Sequence, residues 1–180
     1  MTKDSRKVRT RQALEEAMVE LLIEKDFDDI TTSQLAKTAG ISRSSFYTHY
    51  KDKYDMIDQY QQAIFNKLEY VFDKNHMDIE ATLLEIFEFL DRESLFATLI
   101  TQNGTKEIQN FIRSHLQRLI SSDFYDSGLT PQRTSLEKLY NSVYISHAMF
   151  GVYQIWITRG KKESPKQITK LLMNLLPSLD

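Results

Sequence analysis

The chain has 180 residues, a net charge of −2 at pH 7 and no cysteine. The lack of cysteine excludes disulfide bonds and thiol chemistry, and the length suffices for one small and one larger domain. Only three prolines and five glycines occur, and apolar residues recur every three or four positions. This pattern predicts an all-α fold of about nine helices.

The first eleven residues form a basic segment. It holds five cations and one anion, a net charge of +4, at Lys3, Arg6, Lys7, Arg9, Arg11 and Asp4. An arm of this charge can follow phosphates or enter a minor groove of DNA, and the alternative is an ordinary solvated terminus. No apolar stretch of the signal-peptide type follows it, so we expect a cytoplasmic protein without a membrane segment.

The sequence of residues 31–53 predicts two short helices joined by a tight turn. Thr31 followed by Gln34 is a capping-box pattern, in which each side chain bonds the other residue's backbone N–H. Gly40 suits the left-handed position that ends a helix, and Ser42 is placed to cap the next one. Two such helices of about two turns each are typical of a helix-turn-helix that places its second helix in a DNA groove.

The second short helix is expected from Ser42 to about Tyr50. Phe46 and Tyr50, four residues apart, share its inner face, whereas its outer face carries hydroxyl groups and a cation. Residues 31–53 hold four cations and one anion, a net charge of +3, at Lys37, Arg43, Lys51, Lys53 and Asp52. A basic segment within an acidic chain favours contact with phosphate, although a solvated helical hairpin in a bundle is the alternative interpretation.

These motifs resemble the DNA-binding domain of the TetR/AcrR family of bacterial transcriptional regulators over residues 6–58. TRQALEEAMVELLIEKDF is similar to the first helix of the family, ITTSQLAKTAGIS to the second helix and turn, and RSSFYTHYKDKYDMI to the recognition helix and the start of the fourth. These sequence segments most resemble the branch of the family that is common in low-GC Gram-positive bacteria. Asp26 and Ser44 replace glycines of the family, and we expect Asp26 to tolerate a left-handed turn.

The resemblance and the residue chemistry together predict ten DNA-binding residues. Five polar side chains at helix starts are expected to donate to phosphates, at Thr31, Ser33, Ser42, Ser45 and Lys53. Tyr47 and His49 resemble family positions that touch backbone phosphate. Arg43, Ser44 and Thr48 are the candidates for base edges, with Arg43 suited to guanine.

The predicted domains are a DNA-binding domain at 1–51 and a regulatory and dimerisation domain at 52–180. Helices are expected over 52–74, 79–92, 94–102, 105–121 and 165–176, with a loop at 122–131 and a long helix after Pro131. From Tyr140 to Thr158 this long helix has no charged residue, and its apolar residues cover the whole circumference. A helix of this kind is buried on every side, so we expect a partner to cover part of it.

The last two helices are predicted to pair with their copies in a homodimer, as a four-helix interface. The interface residues expected are Phe150, Gly151, Trp156, Ile168, Leu171, Leu172 and Leu175. Gly151 followed by Trp156, then Gly160 and residues 163–165, also resembles the C-terminal domain of the same Gram-positive branch. A dimer places two recognition helices in major grooves about one turn apart on a palindromic site.

The resemblance further implies a small-molecule pocket between the connecting helix and the four helices that follow it. The candidate lining residues, suited to a small apolar or aromatic effector, are Phe65, Phe87, Phe96, Phe111, Tyr140, Tyr144 and His147. The alternative for each aromatic is an ordinary core position, and for His147 a hydrogen-bonded histidine in the core or interface.

The resulting hypothesis is a dimeric regulator that binds an inverted repeat in double-stranded DNA and represses transcription until an effector releases it. The alternatives are an activator, a regulator of the same fold controlled by a protein partner or without a ligand, and a helical adaptor. An enzyme is not expected, because no nucleophile–base pair, phosphate loop or converging ligand set occurs. His76 and Asp78 lack a third metal ligand, and His115 lies among polar residues, so we predict neither a metal nor a cofactor.

Overall fold

The computed structural model describes residues 3–74, 78–125 and 134–176. Within these ranges the regular structure is helical throughout, as expected, with nine α-helices and one short 3-10 helix at Phe27–Asp29. The α-helices are α1 Lys3–Glu24, α2 Thr32–Thr38, α3 Arg43–Tyr47, α4 Lys53–Lys74, α5 Ile79–Arg92, α6 Ser94–Ile100, α7 Lys106–Tyr125, α8 Ser135–Thr158 and α9 Pro165–Leu175.

The first three helices pack around one small core. Leu14 of α1, Leu35 of α2 and Phe46 of α3 are completely buried there. The hydroxyl of Thr31 accepts a hydrogen bond from the Gln34 backbone N–H at 3.2 Å. The Thr31 N–H donates in turn to the Gln34 side chain at 2.9 Å, which confirms the capping box. Gly40 follows with φ +66°, the left-handed conformation predicted for this turn.

The chain is helical from Lys3, so the basic N-terminal residues lie on the first turns of α1. Two local expectations in this region were wrong. Asp26 has φ −64° and ψ 148°, an ordinary extended conformation, because the chain leaves α1 into a 3-10 helix without a left-handed residue. Helix α3 ends at Tyr47 instead of Tyr50.

The C-terminal helices form the larger core. Helix α8 packs mainly on α7, and α9 packs on α5. Trp156 of α8 is 1% exposed, lies edge-on to Phe87 of α5 with ring centroids 5.1 Å apart, and donates its indole N–H to the Glu163 carbonyl. Helix α5 has the predicted bounds, whereas α7 extends to Tyr125, into the predicted loop. The rest of that loop, with Pro131, lies outside the described residues, as does His76.

The two parts of the chain are joined by α4 and by direct contacts. Helix α1 packs on α6. The Tyr60 hydroxyl of α4 accepts a hydrogen bond from the Phe96 backbone N–H at 3.0 Å, and Gln61 donates to the Thr105 hydroxyl at 3.2 Å. Helix α4 therefore contacts the first turn of α6 and the residue that precedes α7. Across the described ranges, no helix is both long enough and apolar enough to cross a membrane.

Candidate nucleic-acid interface

Helix α3 has one anchored face and one exposed face. Phe46 is completely buried and Tyr50 is 5% exposed, and their rings lie 5.8 Å apart. Arg43, Ser44 and Thr48 are exposed around the rest of the helix. The inner aromatic pair thus fixes the orientation in which these three predicted base-contacting side chains project outward.

Hydroxyl groups along the exposed side of α3 bond to one another and to the backbone of the helix. The Ser42 hydroxyl accepts from the Ser45 backbone N–H at 3.1 Å, which confirms the predicted N-cap, and it lies 2.9 Å from the Ser44 hydroxyl. At the other end the Thr48 hydroxyl donates to the Ser45 carbonyl at 2.6 Å. These bonds order the short polar side chains of a five-residue helix before any partner binds.

Tyr47 and His49 flank this exposed side. The Tyr47 side chain is 51% exposed and its ring lies edge-on to Phe46, so its hydroxyl projects beyond the anchored face. His49 is partly buried, and this burial, followed by the charges of Arg11 and Lys7, holds the pKa of His49 below its usual value. A neutral imidazole carries one N–H donor and one acceptor nitrogen, and this form prevails at neutral pH.

The basic first half of α1 lies beside the end of α3. The Arg11 guanidinium sits 5.8 Å from the centroid of the Tyr50 ring and donates to the Gln59 side chain at 3.5 Å. Arg6 and Lys7, earlier on α1, are exposed. Arg11 and Lys7 therefore lie close to Tyr50 and His49, just after α3, whereas sequence reasoning treated the two segments separately.

Thr31 and Ser33, predicted from α2 as phosphate donors, are both exposed. The Thr31 hydroxyl and N–H both bond to the Gln34 side chain, so these polar groups are engaged in capping α2. Ser45 is partly buried, and its backbone N–H is bonded to Ser42.

Lys53 differs from its predicted role as an exposed phosphate donor. Its side chain is 6% exposed, and its ammonium donates to the carbonyls of Phe27 at 2.6 Å and Asp28 at 2.7 Å. The same ammonium lies 4.8 Å from the centroid of the Phe27 ring. Lys53 therefore ties the start of α4 to the 3-10 helix. Sequence reasoning missed this role because the partners are 25 and 26 residues away.

Four of the seven predicted pocket residues are core aromatics. Phe87 and Phe96 are completely buried. Phe65 of α4 and Phe111 of α7 are partly buried and stack face to face with centroids 3.7 Å apart. These positions agree with the alternative that the aromatics are ordinary packing residues.

The other three predicted pocket residues lie on the outside of α8. Tyr140 and Tyr144 are 68% and 70% exposed, and exposed His147 bonds through Nδ1 to the Val143 carbonyl at 2.9 Å. The seven residues are therefore split between a core and a surface rather than gathered around one cavity.

The predicted interface residues are divided in the same way. Phe150, Trp156, Ile168 and Leu172 are each at most 6% exposed within their own chain, so they pack α8 and α9 onto their own domain. Leu171 and Leu175, by contrast, are 49% and 65% exposed, and Gly151 is partly exposed. The uncovered side of α8 and α9 instead includes Leu136, Leu139, Tyr140, Tyr144 and Ile155.

Comparison with known proteins places this arrangement in a family. A model described as bacterial regulatory proteins of the tetR family matches residues 14–60, and one described as a transcriptional regulator C-terminal region matches residues 77–178. The first match covers the helix-turn-helix, and the second covers more than half of the chain.

Relatives of known name agree with these matches. The HTH-type transcriptional regulator YxbF of Bacillus subtilis is 27% identical over 96% of this chain, and the chain spans 46% of YxbF. IcaR of Staphylococcus aureus, the negative transcriptional regulator of the icaADBC biofilm operon, is 27% identical over 61% of this chain and 66% of IcaR.

A solved structure shows the same fold. The transcriptional regulator FadR from Bacillus subtilis, determined in complex with stearoyl-CoA, superposes with a TM-score of 0.62 and 15% identity over 94% of this chain and 98% of FadR. Because two family models match its helix-turn-helix and its C-terminal region, the chain belongs to the TetR family of bacterial transcriptional regulators.

Proposed function

We propose that the protein is a homodimer that binds an inverted-repeat operator through α3 and represses transcription until a small molecule releases it. The observation that carries this proposal is the division of α3 into a buried aromatic face and an exposed polar face beside the cations of α1. A chain of net charge −2 that concentrates cations beside an ordered helix is suited to phosphate and base contacts.

The proposed contacts follow the exposure of each side chain. Arg43, Ser44 and Thr48 meet base edges, because they project from the side of α3 away from Phe46. Tyr47 contacts backbone phosphate. His49, with Thr31, Ser33, Ser42 and Ser45, contributes polar contacts at the edges of this surface. Because the Lys53 ammonium is engaged with the carbonyls of Phe27 and Asp28, Arg11 and Lys7 of α1, whose charges act on His49, supply the positive charge instead.

The proposed partner of α8 and α9 is a second copy of the chain. Tyr144, Ile155, Leu171 and Leu175 are each about half exposed or more, so these helices carry apolar side chains that their own domain leaves uncovered. A cleft of about 170 Å³ between the two helices, lined by Tyr144, Leu175 and other apolar residues, is suited to an inserted side chain. Two-fold pairing would bury this face on both copies and set the spacing of two α3 helices.

Repression is favoured over activation by one relative, since IcaR is named a negative regulator. An apolar effector is supported by FadR, which was determined with stearoyl-CoA. In this scheme the effector changes the packing of α4, which contacts the 3-10 helix through Lys53 and α6 through Tyr60.

Operator binding is tested by fluorescence anisotropy of the full chain with labelled genomic fragments at low and moderate salt. We expect nanomolar binding to selected fragments and a steep loss of affinity as salt rises, because released counterions drive phosphate contacts. Binding that is absent for every fragment even at low salt would contradict the proposal.

Variants separate the two kinds of contact. Tyr47→Phe should weaken binding to all sequences alike, whereas Arg43→Ala should change base preference at one operator position. Lys162→Ala, an exposed cation in the turn between α8 and α9, is the control and should leave affinity unchanged. Identical preference profiles for Tyr47→Phe and Arg43→Ala would contradict this assignment.

A further inference from the structure

We propose that Thr48 contacts the operator as a hydrogen-bond acceptor beside a methyl group, and that it therefore selects the exocyclic amino group of adenine or cytosine and rejects the edge of guanine. This inference rests on the proposed function, since it requires α3 to lie in a major groove. It assigns one residue the role of hydrogen-bond acceptor toward DNA, which the family match does not.

The Thr48 hydroxyl is assigned as an acceptor toward DNA because its proton is already donated within the protein. A hydroxyl has one proton and two lone pairs, and the Thr48 hydroxyl donates its proton to the Ser45 carbonyl at 2.6 Å. The Thr48 side chain is exposed, so its lone pairs and its methyl group are what it presents outward. With its proton engaged in this way, Thr48 can accept a hydrogen bond from DNA but has no second proton to donate.

The short length of α3 explains why this bond forms. Near a helix end the carbonyls lack the N–H four residues further on, and here the His49 N–H bonds to Phe46 instead of Ser45. The Ser45 carbonyl receives the Thr48 backbone N–H at a longer 3.2 Å. The Thr48 hydroxyl completes the bonding of this carbonyl, so turning the proton toward DNA would weaken the end of the helix.

The position of Thr48 suits a base contact. Thr48 lies four residues after Ser44, on the side of the helix away from buried Phe46. Its backbone is fixed as well, with φ −76° and ψ −15° and its N–H bonded within α3. A short side chain on a fixed backbone has little freedom to change its bonding pattern.

The chemistry of the major groove converts this polarity into a preference. Adenine and cytosine present amino groups there, whereas guanine presents the two acceptors N7 and O6. An acceptor that faces another acceptor gains no hydrogen bond and leaves both groups poorly solvated. Arg43, which carries donors and no acceptor, has the opposite preference, so α3 offers one donor group and one acceptor group at different positions.

The test begins with selection of binding sites by the full chain and by Thr48→Val, which has the same shape but no hydroxyl. The position whose preference changes between the two is the base pair that Thr48 contacts. Each pair carries one major-groove amino group, on its adenine or its cytosine, and this group is the proposed partner of Thr48. Thr48→Ser, which keeps the hydroxyl, should retain that preference. Thermal unfolding of each variant checks that α3 remains folded.

The decisive measurement removes the amino group from that base in a selected duplex. An adenine is replaced by unsubstituted purine and a cytosine by pyrimidin-2-one, and affinity is measured by anisotropy. The unmodified chain and Thr48→Ser should each lose roughly 3- to 10-fold in affinity, the effect of one hydrogen bond. Thr48→Val should bind the normal duplex more weakly and lose nothing further.

Two results would overturn the inference while leaving the proposed function intact. One is a loss of affinity, absent in Thr48→Val, when the purine of that pair is replaced by its 7-deaza form, which lacks the acceptor N7, since this would show donation from the hydroxyl. The other is operator binding by Thr48→Val with an unchanged profile and the same loss on removal of the amino group. A chain that binds no duplex at all would instead contradict the proposed function.

Discussion

Asn103 bonds to the DNA-binding part of the chain through both its backbone and its side chain. Its carbonyl accepts a hydrogen bond from the Phe27 backbone N–H at 2.9 Å, and its amide group donates to the Leu22 carbonyl at 2.9 Å. The turn between α6 and α7 is thereby fastened to the end of α1 and to the 3-10 helix. A displacement of this turn would act directly on the support of α3.

Removal of the Asn103 side chain should loosen this junction. Asn103→Ala keeps the backbone bond to Phe27 but leaves the Leu22 carbonyl without its side-chain partner, which should cost about 1 kcal/mol of unfolding free energy. Urea unfolding followed by circular dichroism measures the loss. Gln102→Ala, an exposed neighbour in the same turn, is the control and should be neutral. Equal stability of the two variants would argue against a mechanical role for Asn103.

Gly104, in the same turn, should tolerate no side chain. A Cβ atom placed there would lie 1.9 Å from the Leu99 carbonyl oxygen, and backbone atoms of α6 cannot move aside cheaply. Gly104→Ala should therefore lower the unfolding free energy by at least about 2 kcal/mol. At Gly151 of α8, where an added methyl meets no described atom within 4 Å, alanine should be neutral or stabilise the helix. Thermal melts of both variants test the contrast, which a mild effect at Gly104 would refute.

Lys53 should stabilise the fold, because its ammonium bonds to two backbone carbonyls. Lys53→Met keeps the length of the side chain but leaves the carbonyls of Phe27 and Asp28 without the ammonium, at a cost of about 2 kcal/mol. Lys51→Met, two residues earlier and exposed, should change stability little. Denaturant midpoints of the two variants decide between a structural Lys53 and one that is dispensable for folding.

The predictable parts of the fold are those that depend on near neighbours in sequence. The Thr31–Gln34 capping box, the left-handed Gly40 and the Ser42 cap each involve residues at most four apart, and all three were read correctly. The bounds of α5 followed from its strong apolar periodicity.

The positions whose roles were missed or predicted wrongly have contact partners that are far away in the sequence. The Leu22 carbonyl that Asn103 contacts is 81 residues away, and Trp156 is buried by Phe87 of another helix. In α8 the apolar residues surround the helix, so periodicity could not tell which side faces its own domain. This is why Trp156 and Leu172 were assigned to a dimer interface although they pack within the chain.

The exposed apolar side of α8 and α9 gives a revised test of dimerisation. Leu175→Glu, on α9, and Tyr144→Glu, on α8, should produce monomers that keep their helicity, because both residues are well exposed in the single chain. Trp156→Glu should instead unfold the protein, since it places a charge in the core. Ile23→Glu, exposed on α1, is the control and should stay dimeric. Light scattering with circular dichroism separates these results, and a dimeric Leu175→Glu would contradict the proposed face.

Glu15 should make stability depend on pH at the contact between α1 and α6. Burial, and next the charge of Glu93, raises the pKa of Glu15 above its usual value. A carboxyl with a raised pKa in the folded state destabilises the fold once it ionises. This effect is absent below the usual pKa of the group, grows as pH rises above it, and is complete once pH exceeds the raised pKa.

Glu15→Gln should therefore be more stable than the parent chain at neutral pH. The difference should shrink as pH falls and Glu15 becomes protonated, because a neutral carboxylic acid and an amide are then similar in charge. Thermal melts between about pH 4.5 and 7.5 measure this trend. Glu20→Gln, at an exposed position on the same helix, supplies the control curve. A Glu15→Gln variant that is less stable at neutral pH would mean that the Arg11 and Lys67 charges, which oppose the shift, outweigh burial and Glu93.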